Sequence, residues 1–174
     1  MKIYFITHST TVDNEKGIAS GWNDVELSGI GRKQAEEIGK RFGNFNFDLI
    51  CSSDLKRAVE TVKIAFGDEY PIIIDKRLRE INYGDFNGKE KTFIDSIKFE
   101  YIEKPFPNGE SFKEAIDRVI DFYKELKEKF HDKTILIVGH RATHYGLEIL
   151  ANKKSIEECL KTPFQWQPYW EYEL

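Results

Sequence analysis

The chain has 174 residues, is 40% hydrophobic and 32% charged, and carries a formal net charge of −4. That length suits a single domain with a sizeable core, and that balance excludes an intrinsically disordered chain. The acidic sign argues against nucleic acid as a partner, so any bound anion must be met by a local cluster of positive groups. No apolar run reaches transmembrane length, and the first residues are too few for a signal-peptide core, so no membrane partner and a cytoplasmic location are expected. The two cysteines, Cys51 and Cys159, lie far apart in sequence and have no metal-ligand spacing, which suits a free-thiol protein.

In chain order the pattern alternates strand and helix. Lys2–Thr7 reads as a buried strand ending on His8, followed by a polar loop from Ser9 to Glu26. Ser28 is an N-cap signal for a helix over Gly31–Phe42, with Ala35, Ile38 and Phe42 on one face. Asp48–Ser52 is a second strand. A helix over Leu55–Phe66 follows, capped by Ser53 or Asp54, with Ala58, Val59, Val62 and Ala65 at helical spacing. Ile72–Ile74 is a strand, Leu78–Gly88 a loop, Thr92–Glu100 a helix and Pro105–Gly109 a turn. Ser111–Phe130 is a long amphipathic helix burying Ile116, Val119, Ile120, Tyr123, Leu126 and Phe130. Thr134–Gly139 is a strand ending on His140, and a helix over Ala142–Leu150 follows. The tail Trp166–Leu174 reads as a closing strand, its Trp166, Tyr169, Trp170 and Tyr172 assigned to the core or a subunit contact. These elements predict one α/β domain over residues 1–174, a three-layer α/β/α sandwich with a mostly parallel central sheet.

Two of the four histidines thus terminate equivalent strands. Ligands in open α/β sheets bind beyond the carboxyl ends of parallel strands, so neighbouring strands would bring His8 and His140 to one pocket. Loops after the strands add Arg57, Arg79, Glu80 and Arg141. Arginines and imidazoles near helix N-termini make a phosphate site. A carboxylate is out of place there unless it handles a proton. The combination suggests phosphoryl transfer to a nucleophilic imidazole, with Glu80 protonating the leaving oxygen. Arg79 is read as an ion-pair partner, His144 as structural, and Glu110 as a helix-start residue favoured by the dipole.

Six segments in register, Thr7-His8-Ser9 with Asn14, Ser20–Ser28, Ser52–Thr61, Leu78–Gly88, Asn108–Ser111 and Gly139-His140, resemble the histidine phosphatase superfamily, the phosphoglycerate mutase-like family. The resemblance spans essentially the whole chain. It implies that His8 is transiently phosphorylated, that Arg57 and His140 hold the phosphoryl oxygens, that Asn14 adds a neutral donor, and that Glu80 is general acid and then base. It also implies that no metal or other cofactor is required, that Thr7, Ser20 and Gly21 border the substrate, and that the partner is a small phosphorylated metabolite; Arg141 is a further candidate at the phosphate. A homodimer and a monomer are both compatible with it. Thr7 and Ser9 stand where the family has arginine and glycine. Losing one charged hydrogen bond costs roughly 1.5–3 kcal/mol, roughly tenfold to a hundredfold in affinity or rate. Arg141 stands where a small residue is usual, and either restores the charge missing at Thr7 from the opposite strand or points outward to pair with a surface carboxylate. A metal-independent phosphatase is the leading reading. A catalytically weak phospholigand binder and a mutase-type phosphotransferase are the alternatives.

Overall fold

The computed structural model describes all 174 residues. Strand alternation builds its layers. In β1 (Lys2–Thr7), Ile3 and Phe5 pack into one buried cluster while Tyr4 and Ile6 enter another. In β6 (Thr134–Gly139), Ile135 and Ile137 join the first cluster, and Leu136 and Val138 the second. The first cluster is completed by α5 (Phe112–Phe130), α6 (Arg141–Asn152) and α7 (Ile156–Lys161), and the second by α2 (Gly29–Phe42) and α3 (Lys56–Phe66). Side chains alternating across one sheet therefore make two cores, one under each helical layer.

With β3 (Leu49–Ser52), β4 (Ile72–Ile74) and β7 (Trp170–Glu173), the sheet order is β4-β3-β6-β1-β7. All neighbours are parallel except β7, which runs antiparallel to β1. Thr7 pairs with Gly139 in the β1–β6 register, so His8 and His140 leave adjacent strands side by side. Helix α6, which begins right after His140, lies tight against α5: a Cβ on Gly146 would meet Val119 Cγ1 at 2.6 Å. No helix is long and apolar enough to cross a membrane.

Several local features differ from the sequence expectations. The polar loop after β1 contains a one-turn helix, α1 (Val12–Glu15), closed by a reciprocal capping box between Thr11 and Asn14. It also contains β2 (Ile18–Ala19), which pairs antiparallel with β5 (Lys89–Glu90). Helix α1 buries no residue, so it leaves no hydrophobic period to read. Neither Ser53 nor Asp54 is the N-cap of α3: that position is Leu55, and the Lys56 amide donates to Asp24 Oδ1 at 2.9 Å. Asp54 instead makes a bidentate pair with Arg79, both bonds 2.7 Å. Helix α4 (Lys91–Ile97) begins and ends earlier than expected and runs on into a 3-10 turn over Lys98–Tyr101. Only the end of the aromatic tail joins the sheet. Tyr172 is buried, but Trp166 is 65% exposed and belongs to neither core.

Candidate active site

All nine sequence-selected residues, Thr7, His8, Asn14, Ser20, Gly21, Arg57, Glu80, His140 and Arg141, line one cavity of about 600 Å³ at the carboxyl ends of β1, β3 and β6. The rings of His8 and His140 are 5.1 Å apart, centroid to centroid, and tilted by 52°.

The local fold determines which nitrogen of His8 faces the cavity. Nδ1 lies 2.7 Å from the Ser9 carbonyl, which can only accept, so the ring proton sits on Nδ1 and Nε2 keeps its lone pair. The turn is held in place by the Ser9 amide, which donates to Thr61 Oγ1 at 3.0 Å. Burial and the nearby Arg57 charge push the His8 pKa down to about 3, so the ring is a neutral nucleophile.

Arg57 is 3% exposed. Its Nη1 and Nη2 donate to the carbonyls of Asn23 and Gly21 at 3.0 and 2.8 Å, and its Nε to His8 Nε2 at 3.3 Å. The Gly21 carbonyl can reach it because Gly21 sits at φ +53, where a Cβ would lie 1.8 Å from Asn87 Oδ1. Asn87 ties this loop to the Glu80 segment, accepting from the amides of Trp22 and Tyr83 at 3.3 and 3.0 Å.

His140 is 1% exposed, and neither ring nitrogen has a hydrogen-bond partner. Burial, then the charge of Arg57, holds its pKa well below the usual range. A buried imidazole without partners is costly unless a ligand supplies them. Glu80 stands beside it at the N-terminus of α6. Its Oε1 accepts from the amides of Ile81 and Ala142 at 3.0 and 3.2 Å, and its Oε2 from that of Arg141 at 3.3 Å.

Asn14 Oδ1 accepts from the Thr11 amide, which leaves the side-chain NH₂ as the donor available to the cavity. Ser20 Oγ donates to Asp13 Oδ2 at 2.8 Å. Arg141 places its guanidinium 5.4 Å from the Phe164 ring centroid and 3.8 Å from Asp95 Oδ1. His144 stacks on Phe5, packs at a tilt against Trp170, and does not reach the cavity.

Sequence reasoning missed the scaffold behind Glu80. Arg118, on α5, donates to the carbonyls of Arg77, Arg79 and Glu80 at 2.7, 2.9 and 2.8 Å. Trp22 Nε1 donates to the same Glu80 carbonyl at 2.7 Å. Glu110, read as a dipole-favoured helix start, pairs with Arg118 at 2.6 Å and accepts from the Asn82 amide at 2.8 Å. Its role is set by a partner eight residues on rather than by the helix dipole. Also missed were Gln34, Glu37 and Arg41 of α2, together with Lys91, Phe164 and Trp166, which line the same cavity. The four cations Arg41, Arg57, Lys91 and Arg141 face two carboxylates, Glu37 and Glu80, so this wall is positive although the chain is acidic.

The chain is similar to known proteins along most of its length. The chain is 32% identical over 170 residues to a 2,3-bisphosphoglycerate-dependent phosphoglycerate mutase of Cytophaga hutchinsonii, covering 90% of this chain and 79% of the relative. It is 28% identical over 152 residues to phosphoserine phosphatase 1 of Hydrogenobacter thermophilus, covering 80% and 71%. Its fold superposes on the solved structure of Bacillus stearothermophilus YhfR with a TM-score of 0.84 at 27% identity, covering 98% of this chain and 89% of the other. The model of the histidine phosphatase superfamily, branch 1, matches residues 3–164, and the chain belongs to that superfamily.

Proposed function

We propose that this protein is a phosphatase that hydrolyses a small phosphomonoester through a phosphohistidine on Nε2 of His8. One observation carries the reading. A neutral imidazole in the cavity wall, its Nε2 lone pair accepting only from Arg57 Nε, faces a second buried imidazole that has two unpartnered nitrogens. A phosphoryl group between the rings would accept from Arg57 and His140. Its negative charge would favour the protonated form of His140, which burial alone disfavours.

In the first half-reaction Nε2 of His8 bonds to phosphorus as the bond to the ester oxygen breaks, and Glu80 gives its proton to that oxygen. In the second, Glu80 takes a proton from water as the water oxygen attacks phosphorus and frees Nε2. The guanidinium and imidazolium neutralise charge that builds on the equatorial oxygens. Arg141 takes over the charge missing at Thr7, since it follows His140 and Thr7 ends the strand in register with Gly139.

Relatives in this superfamily include both phosphatases and mutases. Retention of the phosphoryl group, as a mutase needs, requires exclusion of water. Here only a two-residue strand, a seven-residue helix and a short 3-10 turn lie between Gly88 and Pro105, which favours hydrolysis.

The test is direct. Mixing with an aryl phosphate should leave acid-labile phosphate on His8, and His8→Ala should lower turnover at least about a thousandfold. Turnover surviving that change would refute the reading.

A further inference from the structure

We infer that the outer half of the cavity, formed by Phe164 and Trp166 of the tail with Arg41 of α2, binds a planar aromatic ring carried by the leaving group of the phosphomonoester. This rests on the phosphatase reading above and names its substrate class.

Size comes first. A cavity of about 600 Å³ has room for a ligand of many atoms, more than a phosphoryl group with a three-carbon remainder would fill. Its inner end is occupied by the imidazoles, Arg57 and Glu80, so the remaining space belongs to the leaving group.

The tail supplies the wall of that space. Between α7 and β7 the chain makes no backbone hydrogen bond from Pro163 to Pro168, so side chains alone position this stretch. Phe164 and Trp166, two residues apart, both line the cavity, while Gln165 and Gln167 are exposed. The neighbouring aromatics behave differently. Tyr169 packs on Tyr4, Phe42 and Phe45, and Tyr172 is buried in the core. Anchored by them, the tail turns two rings toward the cavity, and one of them, Trp166, remains 65% exposed.

Each ring is matched to a cation. The Arg41 guanidinium lies 5.9 Å from the Trp166 ring centroid, and that of Arg141 lies 5.4 Å from Phe164. Arg41 forms no ion pair with any carboxylate, although Glu37 lies one turn away on the same helix. An arginine paired with a tryptophan instead of a carboxylate fixes the ring and presents a flat, electron-rich surface. Such a surface rewards a flat ring through stacking and burial of the open indole face, and offers little to a short aliphatic chain.

The experiment compares 1-naphthyl phosphate with glycerol 3-phosphate on the wild type and on Trp166→Ala. The exposed site of Trp166 keeps the fold out of the comparison. Stacking held equally in ground and transition states predicts KM for the naphthyl ester rising about tenfold with kcat unchanged. Both constants for glycerol 3-phosphate should stay within about twofold, and Trp166→Phe should restore most of the naphthyl affinity. Equal changes for the two esters, or none, would overturn the inference. Binding of 1-naphthyl phosphate to His8→Ala, followed by fluorescence, separates it from the catalytic reading. Ring-dependent binding lost in His8→Ala/Trp166→Ala sustains the shelf even if the wild type turns over no ester, an outcome that would sink only the phosphatase proposal.

Discussion

Arg57 shows how a buried cation is kept in this pocket. Burial lowers its pKa, but the charges of Glu80 and Asp24 act in the opposite sense, and two loop carbonyls occupy its terminal nitrogens. The guanidinium therefore stays charged and aimed at His8 without needing a surface carboxylate. Arg141 is a more open case. Its side chain makes no hydrogen bond to the protein, and the nearest carboxylate, that of Asp95, is 3.8 Å away, so its donors are free for an anion. If it replaces the arginine missing at Thr7, Arg141→Ala removes a charge-assisted contact and should weaken inorganic phosphate binding by about tenfold or more. Lys56 is the matched control. It points away from the cavity to Glu26 at 2.6 Å, with both side chains well exposed. Lys56→Ala should shift affinity by less than about twofold. Calorimetric titration of phosphate into the two variants decides the matter, and equal small effects would leave the Thr7 position uncompensated.

At the scale of elements, the catalytic carboxylate proposed here is held by a neighbouring helix. Arg118 of α5 gathers three carbonyls of the 77–80 segment, and its bond to Glu110 brings the turn before α5 into the same network. Trp22 closes this from the other side, with the guanidiniums of Arg79 and Arg118 at 4.6 and 5.9 Å from its ring centroid. Arg118→Met would leave the carbonyls of Arg77 and Arg79 without their donor, and would take one of two donors from the Glu80 carbonyl and the charged partner from the partly buried Glu110 carboxylate, a loss of about 2–4 kcal/mol in urea unfolding. Glu80 would lose its position while Arg57 and His140 kept theirs, so kcat should fall by about tenfold or more with phosphate affinity nearly unchanged. Loss of both together would mean that Arg118 supports the whole pocket. None of this network was legible in the sequence, because its bonds span separations from 8 residues, Glu110 to Arg118, to 58, Trp22 to Glu80, and follow no period. The Asp24 carboxylate on the α3 amide was hidden for the same reason, since local capping rules look only to nearby residues. By contrast, β1 and β6 were legible because their apolar residues serve two cores at once, and a continuous run ending on histidine fixes where each strand stops. The inner site followed from those two ends. The outer wall did not, because Phe164 and Trp166 sit in the same aromatic run as residues that do enter the core.

For the whole molecule, charge is partitioned. An acidic chain keeps a cavity wall with more cations than carboxylates, an arrangement suited to an anionic ligand. Three buried histidines are held neutral in the free protein. Burial lowers the pKa values of His8 to about 3 and His144 to about 4, and that of His140 well below its usual value. Their unfolded reference is 6.5. Between the folded and unfolded values the unfolded chain binds more protons than the native one, so acid favours unfolding. Stability is complete above about pH 6.5 and declines as pH falls, each histidine contributing up to about 1.4 kcal/mol per pH unit. Carboxylates, with reference values of 3.8 and 4.5, join only lower down, so pH 5 to 6.5 isolates the imidazoles. Urea midpoints across that window should fall steadily, and His140→Gln should flatten the fall. A flat wild-type profile would show that the rings are not held neutral. The same low value for His8 means that any loss of turnover between pH 5 and 6.5 comes from a group other than the nucleophile. Phosphohistidine formed in a single turnover, measured across this range with chemistry rate-limiting, should therefore show no titration assignable to His8.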